Sequence, residues 1–164
     1  MNNTESKFNL GNNFTYSEVT SPTELDELVN YSASYENLNF GFSEQYIEKL
    51  KSMLHEPNAF QEMVRSDSGE FAGYVAASEQ LFPNNLFLTE LFINPAYNGK
   101  GLGTELVNKV IDSAKSSGLQ GVITQTEHEN IPAQKLYEKL GFKPIRNPNS
   151  QHITYELKFT ENTP

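Results

Sequence analysis

Cysteine is absent from the 164 residues of this chain. Its absence excludes a thiol nucleophile, a zinc site built on thiolates and any disulfide framework. No apolar run approaches the roughly 20 residues that a membrane span needs. The opening stretch, MNNTESKFNL, has neither the basic nor the apolar region of a secretory signal. We therefore expect a soluble, cytoplasmic protein with no membrane partner.

Basic residues are also scarce. Twelve Lys and Arg stand against 21 Asp and Glu, which gives a formal net charge of -9 at pH 7. A charge of this sign repels nucleic-acid phosphates and attracts cations. The composition thus argues against a nucleic-acid partner and favours a cationic one.

Large apolar side chains, by contrast, are plentiful. Hydrophobic residues make up 37% of the chain and include 11 Phe and 8 Tyr, which is enough to build a core without metal or disulfide support. The length suits one domain, for which about 150 residues is a common size. The polar stretches at residues 1–13 and 160–164 are expected to be loose tails, so the folded domain is expected over residues 14–159.

Hydrophobic periodicity and turn residues predict the element order β-α-α-β-β-β-α-β-α-β-β. An aromatic-rich loop is expected over residues 31–42, and Asp67, Ser68 and Gly69 predict a tight hairpin. This order is typical of a mixed α/β sheet with helices packed on its faces. The helices are expected to begin near residues 21, 43, 102 and 130, and the strands to cover residues 14–19, 59–66, 70–78, 86–93, 121–126, 142–146 and 152–159.

A glycine-rich turn follows the most apolar predicted strand. The sequence Asn-Gly-Lys-Gly-Leu-Gly-Thr over residues 98–104 leads into a helix, and a further strand would complete a β-α-β crossover. Glycines at alternate positions let backbone N–H groups converge on an anion, and the helix N-terminus adds partial positive charge. The spacing matches neither GxxxxGK[ST] nor GxGxxG, which disfavours a nucleotide-binding α/β domain. A turn that serves only strand-to-helix packing stays an alternative.

Two motifs resemble those of the GCN5-related N-acetyltransferases. The acetyl-CoA loop of that family, Q/R-x-x-G-x-G/A after an apolar strand, is matched by residues 98–103, although Asn98 stands in place of Gln or Arg. The family segment N-x-x-A-x-x-L-Y-E-K-L-G-F is matched by Asn130, Ala133 and residues 136–142. The resemblance covers residues 86–145 closely and the earlier half in element order alone.

The resemblance implies a single domain with a mostly antiparallel sheet and helices on both faces. It also implies that acetyl-CoA donates an acetyl group to a primary amine, by direct attack in a ternary complex and without a covalent acyl-enzyme. No metal-ligand spacing in the sequence indicates a metal. In such chemistry an ammonium must lose a proton, the thioester oxygen needs donors and the departing thiolate needs a proton. The residues that the resemblance assigns to acetyl-CoA are Phe92, Ile93, Asn98, Gly99, Lys100, Gly101, Leu102, Gly103, Thr104, Asn130, Ala133 and Tyr137.

The resemblance also assigns individual roles. The family places its general acid at the tyrosine that is Tyr137 here, and a phenol can donate a proton to a thiolate. The donor to the thioester oxygen would be a backbone amide near Phe92 or Ile93, where the family's strand bulges and separates from its neighbour. Asn130 would either contact the pantetheine or only cap the helix that it begins.

The leading candidate for proton removal is Glu90. We expect it on the same strand face as Leu88 and Phe92, where an unpaired carboxylate would be costly to bury. A structural salt bridge or an exposed strand face is the alternative for this residue. Further candidate bases in the loop after the next strand are Glu127, His128 and Glu129.

The acceptor is expected to approach over the first two helices and their loop, where Phe40, Phe42 and Tyr46 lie beside acidic residues. Such a surface suits a cationic amine, whether polyamine, aminoglycoside, amino acid or protein amine. The rival hypothesis is an acyl-CoA-binding sensor or interaction module without turnover. Exposed strand edges would permit a homodimer.

Overall fold

A computed structural model describes residues 13–28, 43–79, 82–145 and 147–160. The described strands are β1 (Phe14–Glu18), β2 (Phe60–Ser66), β3 (Phe71–Ser78), β4 (Asn85–Ile93), β5 (Gly121–Glu127), β6 (Lys143–Ile145) and β7 (His152–Lys158). They form one sheet in the order β1-β2-β3-β4-β5-β7-β6. Neighbouring strands are antiparallel except β4 and β5, which run parallel. The predicted mixed, mostly antiparallel sheet is confirmed.

Helices connect these strands on both faces of the sheet. Two helices begin at a side-chain cap, because Ser43 Oγ accepts a hydrogen bond from the N–H of Tyr46 at 3.1 Å and Asn130 Oδ1 accepts one from the N–H of Ala133 at 3.2 Å. Among the described residues, no helix is long and apolar enough to cross a membrane. The helices are α1 (Glu44–Met53), α2 (Leu102–Ser116) and α3 (Ile131–Lys139), together with 3-10 helices over Pro22–Leu25 and Pro95–Tyr97.

The described elements follow the predicted order with two local differences. The 3-10 helix over Pro95–Tyr97, between β4 and α2, was not predicted. The stretch expected to open the first helix is a 3-10 helix over Pro22–Leu25, and residues 26–28 continue it as an α-helical turn. Glu24 Oε2 stabilises this start by accepting hydrogen bonds from the N–H groups of Thr20 and Ser21, each at 2.9 Å. The aromatic-rich loop expected over residues 31–42 lies outside the described residues.

Two hydrophobic cores lie on opposite faces of the sheet. The α2 core contains the buried side chains of α2 together with those of Val75 and Ala77 in β3. The α1 core contains the buried side chains of α1 together with those of Tyr74 and Ala76 in the same strand. Successive side chains of a strand point to opposite faces, so β3 contributes to both cores. The helices therefore cover both faces of the central strands.

Candidate active site

A bulge in β4 decides which face of the sheet Glu90 occupies. Glu90 pairs with Ala76 of β3, but the next pair joins Ala77 to Leu88, which leaves Thr89 as an extra residue. An extra residue reverses the alternation of side chains beyond it. Leu88 therefore packs in the α2 core, whereas Glu90 faces α1. The expectation that Glu90 and Leu88 share a strand face is wrong for this reason.

The position of the bulge also differs from the expectation. The family resemblance suggested a bulge near Phe92 or Ile93, whereas the extra residue is Thr89. Beyond it, the pairing with β3 is regular through Ile93. Phe92 does share the face of Glu90, because it packs against the α1 core, while Ile93 packs against the α2 core.

Beyond the bulge, β4 and β5 separate. Their parallel pairing ends at Leu88 and Thr124. From there β4 stays paired with β3 as far as Ile93, and β5 stays paired with β7 as far as Glu127. We call the opening between residues 89–93 and residues 125–127 the strand gap. It lies at the carboxyl ends of two parallel strands, which is where open sheets bind ligands.

The glycine turn that follows β4 presents several backbone donors. Gly99 and Gly101 have φ angles of +76° and +79°, in the left-handed region that favours glycine. Within the described ranges, no hydrogen bond engages the N–H groups of Gly99, Gly101, Leu102, Gly103 and Thr104. Free N–H groups at the N-terminus of a 15-residue helix are suited to a phosphate. The turn therefore fits the diphosphate of coenzyme A.

The third glycine of the turn has a packing role. A Cβ at Gly103 would lie 3.3 Å from Cδ2 of Leu136 in α3, whereas one at Gly99 or Gly101 would meet no atom within 4 Å. Gly103 thus lets α2 approach α3 closely, and the side chain of Leu102 is buried in the α2 core. The packing alternative therefore applies to Gly103, while the other two glycines shape the backbone.

Asn94 secures the start of this turn and was not singled out by the sequence analysis. Its side chain is fully buried, with Nδ2 donating to the carbonyl of Phe71 at 2.8 Å and Oδ1 accepting from the N–H of Ala96 at 3.0 Å. Its own N–H donates to the carbonyl of Ala72 at 2.8 Å. The two bonds to Phe71 and Ala72 hold the end of β4 against β3, and the bond from Ala96 caps the 3-10 helix over Pro95–Tyr97. The asparagine before Pro95 was the available signal, since Asn commonly caps a helix that begins with Pro.

Glu90 is a buried carboxylate held by α1. Its side chain is 9% exposed, and the phenol of Tyr46 donates a hydrogen bond to its Oε2. Burial raises the pKa of Glu90, while the hydrogen bond from Tyr46 and the charge of Lys49 lower it. A raised pKa makes this carboxylate a stronger base than an exposed one. No salt bridge joins Glu90 to a cation in the described part of the chain.

Tyr137 on α3 lies on the opposite face of the sheet from Glu90. Its side chain is 4% exposed, and its ring packs against those of Phe142 and Tyr155 at centroid distances of 5.5 and 5.7 Å. Burial raises the pKa of the phenol, the polar contact with Thr124 lowers it, and the charge of Glu90 raises it. The hydroxyl is therefore protonated at neutral pH, and Glu90 is near enough for its charge to act on it.

The remaining residues that were predicted to bind the cofactor lie in the glycine turn, on α2 and at the start of α3. Asn98 and Lys100 are exposed in the turn, and Thr104 is half-buried on α2. Asn130 serves as the cap of α3, which is one of its two expected roles, and Ala133 packs against the α2 core.

The alternative bases lie at the exposed end of β5, where Glu127 is the last residue, and in the loop that follows it. His128 Nε2 is 3.1 Å from the carbonyl oxygen of Ser150, and Gln134 Nε2 donates to the carbonyls of residues 127 and 128. These contacts give the loop a structural role. Within the described ranges, no group of three His, Asp or Glu side chains could hold a metal ion. The exposed candidates are Glu127, His128 and Glu129.

Sequence reasoning also missed two contacts within the site. Tyr46 was expected to face the acceptor, and its hydrogen bond to Glu90 was not foreseen. Thr124, whose Oγ1 donates to the carbonyl of Leu88 at 3.0 Å, lies at the last parallel pair beside Tyr137. A threonine in the apolar strand at residues 121–126 was a weak signal, because threonine is common in strands.

Comparisons with known proteins agree with this architecture. The model of the acetyltransferase (GNAT) family matches residues 25–142. An uncharacterised N-acetyltransferase of Methanocaldococcus jannaschii is 30% identical over 149 residues, which cover 83% of this chain and 63% of that protein. The chain spans less than two thirds of the length of the first relatives that it matches.

Two solved structures show the same fold. A GNAT-family acetyltransferase of Staphylococcus aureus Mu50 has a TM-score of 0.73 at 19% identity, covering 89% of this chain and 99% of that one. A Bacillus anthracis acetyltransferase solved in complex with acetyl coenzyme A has a TM-score of 0.59 at 20% identity, covering 68% of this chain and 69% of that one. At these identities the likeness concerns the fold, and it confirms the predicted fold class.

Proposed function

Because this chain belongs to the acetyltransferase (GNAT) family, we propose that it transfers an acetyl group from acetyl-CoA to a primary amine by direct attack in a ternary complex. The observation that carries this proposal is the strand gap, with Glu90 on one face of the sheet and Tyr137 on the other. A carboxylate base and a phenolic acid at one opening suit a reaction that removes one proton and supplies another.

The glycine turn would bind the co-substrate. The five free N–H groups among residues 99–104 would donate to the diphosphate of coenzyme A. A hydrogen bond to a charged group contributes about 1.5–3 kcal/mol, against about 0.3–1 kcal/mol for the helix dipole. Backbone donors therefore dominate binding, and Asn98 is not needed for it. The turn would direct the sulfur end toward the strand gap, whose β4 backbone includes Phe92 and Ile93.

Proton transfer follows from the two side chains. Glu90 would take a proton from the substrate ammonium, and the amine nitrogen would then form a bond to the thioester carbonyl carbon as the carbon–sulfur bond breaks. Tyr137 would donate its phenolic proton to the departing thiolate, and its phenolate would recover a proton from the second one that the nitrogen loses as the amide forms. A backbone N–H in the strand gap would stabilise the negative charge on the carbonyl oxygen. Burial of both residues excludes water from these steps.

The acceptor would be a cationic amine, either a small molecule or a protein amine. The net charge of -9 attracts such a molecule, and Glu90 offers a carboxylate at the reacting nitrogen. The half-buried ring of Tyr46 lies beside Glu90 on the side of the sheet from which the amine would enter. The positions of Glu90 and Tyr46 support approach over α1.

The direct test is incubation of the purified protein with acetyl-CoA and a pool of polyamines, aminoglycosides, amino acids and peptides. We expect free coenzyme A to appear only when an acceptor is present, and one amine to gain the mass of one acetyl group. The matched variants are Glu90→Gln, which should abolish most of this release, and Glu129→Gln, which should not. Tight coenzyme A binding without release for any amine would favour the sensor instead.

A further inference from the structure

We propose that Tyr46 is a positioning residue for Glu90, and that its phenol occupies Oε2 of the carboxylate so that Oε1 alone faces the incoming amine. This inference rests on the proposed function, because it concerns the proposed base. It adds a residue of α1 to the machinery, although α1 lies outside both sequence motifs.

The hydrogen bonds of Glu90 support this division of its two oxygens. Oε2 accepts from the hydroxyl of Tyr46, a residue 44 positions earlier in the chain. Oε1 accepts no hydrogen bond from any residue in the part of the chain that the structure describes, although the side chain is only 9% exposed. A buried carboxylate oxygen without a donor is costly unless a ligand supplies one. A substrate ammonium would be such a donor.

A second contact fixes the helix that carries Tyr46. Gln61 of β2 is 1% exposed, and its Nε2 donates to the carbonyl of Leu50 at 2.8 Å. The hydroxyl of Tyr74 in β3 donates to Gln61 Oε1. Leu50 follows Tyr46 by four residues, so both lie on the same face of α1. The helix is therefore tied to the sheet one turn from Tyr46, which keeps the phenol in place against Glu90.

The effect of Tyr46 on proton binding can be separated from that of other groups. Among the described residues, the titratable and charged side chains that act on Glu90 or feel its charge are Tyr46 and Lys49 from α1, Tyr74 from β3 and Tyr137 from α3. The Tyr46 hydrogen bond stabilises the charged carboxylate and lowers its pKa. Its removal should therefore raise the pKa of Glu90, whereas a purely structural defect would reduce activity at every pH alike.

The experiment compares pH profiles of kcat/KM for Tyr46→Phe and the unaltered protein with the same acceptor. We expect the rise of kcat/KM on the acidic side of the profile to move to higher pH by about one unit. At pH values below this rise, kcat/KM should fall about tenfold. The matched control is Tyr97→Phe, which removes another phenol–carboxylate hydrogen bond, to Glu70 at 2.6 Å, away from Glu90. Its profile should not move.

A second variant tests the tie between α1 and the sheet. Gln61→Met combined with Tyr74→Phe removes both buried partners together and so avoids leaving a lone phenol unpaired. We expect the acidic side of the pH profile to shift in the same direction as in Tyr46→Phe, but by less. A carbon-13 titration of the Glu90 carboxyl in each variant measures the pKa without turnover.

The outcomes separate the two proposals. If Glu90→Gln is slow but neither the acidic side of the profile nor the titration of Glu90 moves in Tyr46→Phe, the positioning role is wrong and the proposed function stands. If Glu90→Gln keeps the full rate, Glu90 is not the base and the role of Tyr46 falls with it. A shift in Tyr46→Phe together with a slow Glu90→Gln supports both.

Discussion

The ring and the hydroxyl of Tyr137 have different roles. The ring fills the α2 core between Phe142 and Tyr155, so its apolar part stabilises the fold. The hydroxyl lies beside Thr124, where the two parallel strands begin to separate. Removing the hydroxyl should therefore change the chemistry far more than the stability.

We predict that Tyr137→Phe lowers kcat by about 10²–10⁴-fold, the usual contribution of a general acid. The affinity for coenzyme A and the thermal midpoint should stay close to those of the unaltered protein. Stopped-flow acetyl transfer, with chemistry shown to limit the rate, measures the effect. The control is Tyr155→Phe in the same ring cluster, whose hydroxyl instead donates to the exposed Glu138 at 3.1 Å. Equal rates for both variants would remove the assignment.

At the scale of elements, an ion pair ties α2 to β2. Lys109 Nζ lies 3.0 Å from Glu62 Oε1 and 4.9 Å from the ring centroid of Tyr16 in β1. Glu62 is only 6% exposed. Burial raises its pKa above the ordinary value of 4.5, and Lys109 lowers it. Burial likewise raises the pKa of Tyr16, to about 12, with the charges of Glu105 and Glu62 adding to the effect.

Lys109→Met should destabilise the protein by about 3 kcal/mol at pH 7, because it leaves a buried carboxylate without its cation. A carboxyl whose folded pKa is raised favours folding below pH 4.5, and this contribution is lost as pH rises through the folded pKa. The variant raises that pKa further, so the loss should be smaller at pH 5 than at pH 7. Urea unfolding at both pH values measures it, and Glu62→Gln added to Lys109→Met should restore part of the stability. Equal losses at both pH values would contradict this account.

The glycine turn is an element whose backbone conformation can be tested directly. Gly101 has a φ of +79°, and a Cβ there would meet no atom within 4 Å. Any cost of substitution therefore comes from the backbone rather than from a clash. The left-handed conformation costs an ordinary residue about 1–2 kcal/mol.

We predict that Gly101→Ala lowers the free energy of unfolding by about 1–2 kcal/mol, and that Gly101→Asn lowers it less, because asparagine tolerates the left-handed region. Gly103→Ala provides a contrast, since its Cβ would lie 3.3 Å from Cδ2 of Leu136. Its cost should therefore be relieved by a smaller residue at position 136. Equal losses for Ala and Asn at position 101 would show that the conformation is not the cause.

At the scale of the whole molecule, the candidate site depends on the two faces of the sheet that helices cover and on the point where β4 and β5 stop pairing. The α1 core supports Glu90 and the α2 core supports Tyr137, and the strand gap lies between them. A molecule that binds the glycine turn and enters the gap would contact β4, α2 and α3 at once. Binding should therefore stabilise the domain as a unit.

We predict that coenzyme A raises the thermal midpoint, whereas NAD and ATP at the same concentration leave it nearly unchanged. A ligand at 100 times its Kd adds about 2.7 kcal/mol to the stability of the folded state. Differential scanning fluorimetry over a ligand series measures the shift. Stabilisation by NAD or ATP without any by coenzyme A would favour a nucleotide-binding domain.

Most strands and helices, the glycine turn and the family were predictable from the amino-acid pattern, because each depends on residues that are close in the chain. Ser43 and Asn130 cap the helices that they were expected to begin, and the run of apolar residues over 86–93 became a central strand. Local capping, periodicity and turn conformation carry this information. Such signals do not depend on which strands become neighbours.

The face of the sheet on which Glu90 lies depended instead on how the strands pair in the folded sheet. One extra residue, Thr89, reverses the alternation of β4, and no local pattern marks it, because the bulge exists only relative to the register of β3. The end of the pairing between β4 and β5 and the contact of Tyr46 with Glu90 likewise join segments far apart in the chain. Chain order determined which groups were available, and long-range packing alone determined which of them meet.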